Sequence, residues 1–154
     1  MTINIGLLGC GRISRNHLNA IALYHERANL VAICDSDKSK IDAAKLIINE
    51  AFSGREKDMF CPREFNTLQN LLEAVKNKEI SIDLLVIATP SGMHAEQSIA
   101  ASKAGINVCT EKPMATSWED GLKMTKSFDE RGLRLFVVKQ NRLNKTLQLV
   151  KKQI

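Results

Sequence analysis

The sequence predicts an α/β domain: a doubly wound parallel sheet of six strands with helices on both faces. Two observations carry this. Short, nearly continuous apolar runs alternate with longer stretches of helical periodicity, the pattern of strands buried on both sides. The residues that stand out (Gly9, Asp35, Thr89, Lys112) each follow an apolar run at its carboxyl end, where ligands of such sheets bind.

Taken in order, the run from Ile3 to Leu8 is the first strand, followed by a helix over 12–27. Residues 30–34 form the second strand and 38–52 the next helix. The polar stretch "SGREKDMFCPREFN" hides a short third strand, expected at 59–61. Leu68, Leu71, Leu72 and Val75 share one face of a helix over 67–78. "DLLVIA" at 83–88 is the fourth strand, 93–104 a helix, and Gly105 suits the position just past its end. "INVCT" at 106–110 is the fifth strand. Ser117 is expected to cap a helix running to 131, with Gly132 beyond it, and 134–139 is the sixth strand. Residues 1–139 therefore read as one dinucleotide-binding domain. In 140–154, Leu143, Leu147, Val150 and Ile154 fall at helical spacing and open a further amphipathic helix. That apolar stripe is still running at residue 154, so the segment reads as the start of a connection into a longer protein.

A chain of 154 residues suffices for one domain with a core, and 44% hydrophobic with 25% charged residues is ordinary for a soluble protein. No apolar run approaches the roughly 18 residues of a membrane span. The N-terminus lacks a basic segment before its apolar stretch, so no signal peptide is expected and a cytoplasmic location is. The net charge of +5 is spread over lysines interspersed with acids, and aromatics make up only 5%, which argues against a nucleic-acid partner. Cys10, Cys34, Cys61 and Cys109 form no C-x-x-C pair, and His17, His25 and His94 have no zinc spacing. No metal is expected, and the thiols read as reduced and structural.

In "LLGCGRIS", Gly9, Gly11 and Ser14 fit G-x-G-x-x-small at a strand-to-helix junction. The first glycine allows a tight turn and the second lets the backbone approach a pyrophosphate. The third small residue lets helix and strand pack, although Ser14 departs from the usual Gly or Ala. Gly9, Gly11, Arg12 and Ile13 are thus the candidate phosphate loop, with the anion on free N–H groups at a helix start. Asp35 follows the second strand, 24 residues beyond Gly11, where an acid accepts hydrogen bonds from a ribose and repels a 2′-phosphate. This favours NAD over NADP, while Lys38 and Arg12 are nearby cations that keep NADP open. The plainer reading of Asp35 is a turn residue in "DSDKS".

In "VIATPSGMHAEQ", Ser91 can cap the next helix and Pro90 fixes a turn. Thr89 and Pro90 stand where a cofactor would pass. His94, a few residues into the helix, reads on its own as a packed or surface histidine. Lys112, in "CTEKPMAT", precedes Pro113 and is held to extended backbone, so it must sit at the end of the fifth strand. It should converge there with Gly9, Asp35, Thr89 and the residues from Gln140 to Arg142.

The stretches "GLLGCGRISRNHLNAI", "IATPSGMHAEQSIAASKAGINVCTEKPMA" and "VVKQNRLN" resemble the glucose–fructose oxidoreductase/inositol dehydrogenase/rhizopine catabolism (Gfo/Idh/MocA) family, across essentially the whole chain. The resemblance implies a Rossmann domain, NAD as cofactor and a sugar oxidoreductase. Lys112 would be catalytic, lying by the nicotinamide and the reacting hydroxyl. Glu111 would support the loop or bind the nicotinamide ribose. Thr89, Pro90 and His94 would line the cofactor, and His17 would pack. Gln140 and Arg142 would reach substrate. "VVKQNRLNKTLQLVK" resembles members that oxidise the 3-hydroxyl of nucleotide-linked amino sugars in surface-polysaccharide synthesis. The alternatives are a cyclitol or monosaccharide dehydrogenase, or a non-catalytic NAD-sensing module. In the family a C-terminal α+β domain, absent from this chain, carries most of the substrate pocket, an Asp/His acid–base group and the interface of a homodimer or homotetramer.

Overall fold

The structure is a computed structural model that describes residues 2–51 and 61–153. Six strands, β1 (Ile3–Leu8), β2 (Ala28–Cys34), β3 (Arg63–Phe65), β4 (Leu84–Ile87), β5 (Asn107–Thr110) and β6 (Leu135–Val137), form one sheet in the order β3-β2-β1-β4-β5-β6. Every pairing is parallel. The order reverses between β1 and β4, so the chain winds outward from the middle in both directions.

Side chains alternate along the strands and so build two cores. Ile5, Leu7 and Val86 pack against Leu18 and Ile21 of α1 (Ser14–Leu23) and Ile41 and Ile48 of α2 (Lys38–Ala51). On the other face Leu8, Leu85, Ile87 and Val108 meet α3 (Leu68–Lys76), α4 (His94–Lys103) and α5 (Trp118–Asp129) through Leu71, Ala101 and Phe128. The helix ends follow the expected chemistry in three places. Ser117 Oγ accepts the Asp120 N–H at 3.1 Å and caps α5, while Gly105 and Gly132 follow α4 and α5 with φ of +78° and +63°.

Three expectations need correction. The third strand lies at Arg63–Phe65, pairing with Ala32–Cys34, and not at 59–61. Met59 and Phe60 fall outside the described residues, and Cys61 is exposed and unpaired with the sheet. Pro62 offers no N–H to a ladder, so pairing starts only after it. The first helix spans Ser14–Leu23, shorter than 12–27 at both ends, because the glycine turn occupies residues 11–13 and Tyr24 leaves helical geometry at φ −106°, ψ 29°. Ser91 does not cap α4: it opens a single 3₁₀ turn, Ser91–Met93, and no side chain caps α4, whose first turn continues directly from that tighter one.

Beyond β6, a 3₁₀ turn at Gln140–Leu143 leads into α6 (Lys145–Gln153). Asn144 Oδ1 caps α6 by accepting the N–H groups of Thr146 and Leu147 at 3.0 and 3.3 Å, so the helix begins after residue 143. Leu147, Leu149 and Val150 are exposed on it, while Ile154 lies outside the described residues. Among the described residues no helix is long and apolar enough to cross a membrane.

Phe128 is 1% exposed and fills the second core beneath α4 and α5. Phe128→Ala is expected to destabilise the domain by about 3–5 kcal/mol, read as a lower midpoint in urea with an unchanged slope.

Candidate functional site

The crevice at the sheet's carboxyl edge starts at the reversal between β1 and β4. Gly9 turns the chain sharply after β1 with φ +92°, and its N–H donates to the Cys34 carbonyl at 2.8 Å. A Cβ at Gly9 would lie 2.7–2.8 Å from the backbone C and O of Ala88 and N of Thr89. Only glycine therefore allows the turns after β1 and β4 to meet. Gly11 has the opposite surroundings: a Cβ there would meet nothing within 4 Å. That glycine is not required by the protein's own packing, which fits a backbone kept bare for a ligand.

The N–H groups of Gly11, Arg12 and Ile13 donate to no acceptor among the described residues, and α1 begins immediately after them. Three successive free donors at a helix start make an anion site suited to a pyrophosphate. Arg12 and Ile13 are exposed at the tip of this turn. Ser14, fully buried, closes the turn through Oγ to the Gly11 carbonyl at 2.6 Å, which accounts for a serine where glycine or alanine is usual.

Asp35 follows β2 and is partly exposed. Its Oδ2 accepts the Cys10 N–H at 2.8 Å and its Oδ1 the Asp37 N–H at 2.9 Å. The acid thus shapes both the glycine turn and the "DSD" turn, and each oxygen retains lone-pair capacity for a ribose hydroxyl. Lys38, the nearby cation, is engaged by Asp42 and by Glu64 at 3.0 Å. Burial, and then the charge of Asp35, pushes the Cys10 thiol up to about 12; burial, then Cys10 and Asp35, does the same for Cys34. Neither sulfur is a thiolate nucleophile in the turn.

Across the crevice, Thr89 Oγ1 donates to Gln97 Oε1 at 2.6 Å, and Pro90 is exposed. His94 is buried on α4, with Nδ1 2.8 Å from the Pro113 carbonyl and Nε2 2.8 Å from the Thr89 carbonyl. Glu111 is buried at the end of β5. Its Oε1 lies 2.9 Å from His17 Nε2 and its Oε2 accepts the Lys112 N–H at 3.3 Å. Lys112 itself is exposed, and its ammonium has no hydrogen-bond or ion-pair partner among the described residues. The Lys112–Pro113 peptide is cis.

Gly9, Asp35, Thr89, His94, Glu111 and Lys112 thus share the carboxyl edge of four adjacent strands. Gln140 and Arg142 stand on the exposed 3₁₀ turn after β6, with no bond to the others among the described residues. Two partners were not singled out from the sequence. Gln97 lies three residues after His94 on the same buried helix face, a spacing that could have flagged it. The His17–Glu111 contact joins residues 94 apart and has no local signal. Among the described residues no group of three or more His, Cys, Asp or Glu side chains could hold a metal ion.

Residues 3–139 match the model of the oxidoreductase family with an NAD-binding Rossmann fold. The WlbA dehydrogenase of Bordetella pertussis, crystallised with NADH and UDP-GlcNAcA, is 48% identical, with a TM-score of 0.83 over 99% of this chain and 41% of its own. The WlbA dehydrogenase of Chromobacterium violaceum, with the same two ligands, is 42% identical with a TM-score of 0.82 over 98% and 39%. The scyllo-inositol 2-dehydrogenase (NADP⁺) IolW of Bacillus subtilis is 36% identical over 83 residues, 54% of this chain and 23% of that protein. The chain thus spans about two fifths, or less, of the proteins it resembles.

The two glycines separate folding from binding. Gly9→Ala is expected to destabilise the domain by at least about 1–3 kcal/mol from backbone strain alone. Gly11→Ala is expected to leave the melting temperature unchanged and to weaken NADH binding about tenfold, or roughly 1.4 kcal/mol. Calorimetry giving an unaltered Kd for Gly11→Ala would move the pyrophosphate away from this turn.

Proposed function

This chain belongs to the oxidoreductase family whose NAD-binding domain is a Rossmann fold, and from that premise we propose that it is the cofactor half of a dehydrogenase acting on a nucleotide-linked amino sugar. The substrate class is a UDP-linked amino sugar or its uronic acid, oxidised at the 3-hydroxyl. The observation that carries this reading is the 48% and 42% identity, over nearly the whole chain, to two dehydrogenases crystallised with UDP-GlcNAcA. IolW favours a second reading, a cyclitol dehydrogenase, over little more than half of the chain.

Bound nicotinamide dinucleotide supplies the hydride acceptor. The chain's own residues bind and orient. The free N–H groups of residues 11–13 hold the pyrophosphate, and Asp35 accepts from the adenosine ribose, which disfavours a 2′-phosphate there. Thr89 and Pro90 line the path past the sheet reversal, with Arg12 and Ile13 at the loop tip. Lys112, exposed beside that path and unpaired among the described residues, donates to the substrate hydroxyl and stabilises negative charge growing on its oxygen as the proton leaves. Glu111 is already engaged by His17 and by the Lys112 N–H, and so acts as loop support. Gln140 and Arg142, beyond β6, would face the substrate's distal part. The proton acceptor belongs to the family's second domain, as does any dimer or tetramer interface.

Two measurements test this. In the whole protein, Lys112→Ala is expected to lower kcat by about 100-fold while NADH affinity stays within about twofold; unchanged turnover would remove Lys112 from the mechanism. Offered UDP-GlcNAcA and scyllo-inositol with NAD⁺, the wild type is expected to oxidise only the nucleotide sugar. Turnover of the inositol alone would establish the second reading, and turnover of neither would favour a non-catalytic NAD-binding module.

A further inference from the structure

The lysine at the end of β5 is exposed, yet the backbone on both sides of it is tied down by a buried histidine of α4 and a partly buried one of α1. His94 is 1% exposed and touches two carbonyl oxygens, those of Thr89 and Pro113, each at 2.8 Å. Carbonyl oxygens only accept, so a ring nitrogen that carries a proton donates to the carbonyl it faces. The ring thereby bridges the turn after β4 to the turn after β5. On the other side of the lysine, His17 of α1 holds Glu111 Oε1 at 2.9 Å, while Glu111 Oε2 accepts the lysine's own N–H at 3.3 Å. The Glu111 N–H is in turn fixed to the Ile87 carbonyl at 2.9 Å.

We propose that His17 and His94 are positioning residues for Lys112: His17 fixes the loop through the Glu111 carboxylate, and His94 fixes it through the Pro113 carbonyl while registering it against the Thr89–Pro90 turn. The inference rests on the reading of Lys112 as the substrate-contacting group. An apolar ring would fill the same space at either position. What such a ring lacks is the polar nitrogen that faces Glu111 from His17 and the Thr89 and Pro113 carbonyls from His94. A long side chain amplifies any backbone shift at its root, and misplacement of a reacting group by about 1 Å costs on the order of 100-fold in rate. Substrate positioning is therefore where the loss of these contacts should register, ahead of the grip on the pyrophosphate and adenosine ribose, which uses the turns after β1 and β2.

The test uses the whole protein with NAD⁺ and UDP-GlcNAcA. His17→Phe and His94→Phe are each expected to lower kcat by about tenfold or more, with NADH affinity within about twofold. His17→Gln, which keeps one donor toward Glu111, should recover most of the rate, and His94→Gln, which cannot span two carbonyls, should not. Combined with Lys112→Ala, neither Phe variant should lower kcat further, since the group being positioned is gone. Wild-type turnover in both Phe variants, losses that simply add to that of Lys112→Ala, or a parallel loss of NADH affinity would each overturn the proposal. Lys112→Ala alone decides the reading beneath it. If that variant turns over normally while the Phe variants do not, the histidines serve something other than Lys112, and the positioning role falls as well. Nitrogen-15 NMR of the wild-type histidines supplies a measurement independent of variant folding. A His94 ring N–H facing a carbonyl is expected to exchange slowly with solvent, and a rapidly exchanging one would break the bridge between the two turns.

Discussion

The contact on which the rest of this domain depends is the meeting of two turns at the point where the sheet reverses direction. Gly9 can approach the backbone of Ala88 and Thr89 only because it has no side chain. That approach fixes the end of β1 beside the end of β4, and everything functional is arranged around it. The glycine turn lies to one side, with its free N–H groups and Asp35 behind it. The Thr89–Pro90 and Glu111–Lys112–Pro113 turns lie to the other. Polar side chains then join the turns in pairs: Asp35 to the Cys10 N–H, His94 to Thr89 and Pro113, and His17 to Glu111. The crevice is thus held by few bonds, each crossing from one strand's end or one helix to another.

The division of labour along the edge follows from burial. Where the chain needs a fixed shape, the polar group is covered: Ser14, His94 and Glu111 are each 9% exposed or less, and each is satisfied by a neighbour. Buried polar groups left unpaired would cost stability, so their partners are part of the fold. Where the proposed function has the chain meet a ligand, the group is left open, as with Gly11, the tip at Arg12 and Ile13, and the Lys112 ammonium. Two cysteines in the same region keep their protons through burial and act as small apolar fillers.

Much of this was legible in the sequence because it depends on local signals. Apolar runs buried on both faces, a glycine pattern at a strand end and an acid after the next strand each occupy a short window, and all reappear at the expected ends of β1 and β2. Lys112 was placed by Pro113 alone, a single-bond argument that needs no tertiary information. The misreadings have equally local causes. The apolar "MFC" at 59–61 outweighed Pro62, although a residue without an N–H marks where a ladder can begin. Ser91 resembled a cap, but a 3₁₀ turn intervenes before α4. The bonds that cross the crevice were not legible, because residues such as His17 and Glu111 carry no sequence sign of each other. A histidine at helical spacing reads as packing until the opposite strand is in place.

The double employment of Asp35 bears on how such a domain can change over evolutionary time. The same carboxylate that would discriminate between the two nicotinamide dinucleotides also holds the Cys10 N–H and so helps set the curvature of the glycine turn. On the proposed reading, a mutation that removes the acid to admit a phosphorylated ribose also loosens the turn proposed to grip the pyrophosphate. Cofactor preference and cofactor grip would then not be separate traits. A switch from one dinucleotide to the other would then call for a second substitution that gives the Cys10 N–H a new acceptor, and intermediates carrying only the first would bind both dinucleotides less tightly.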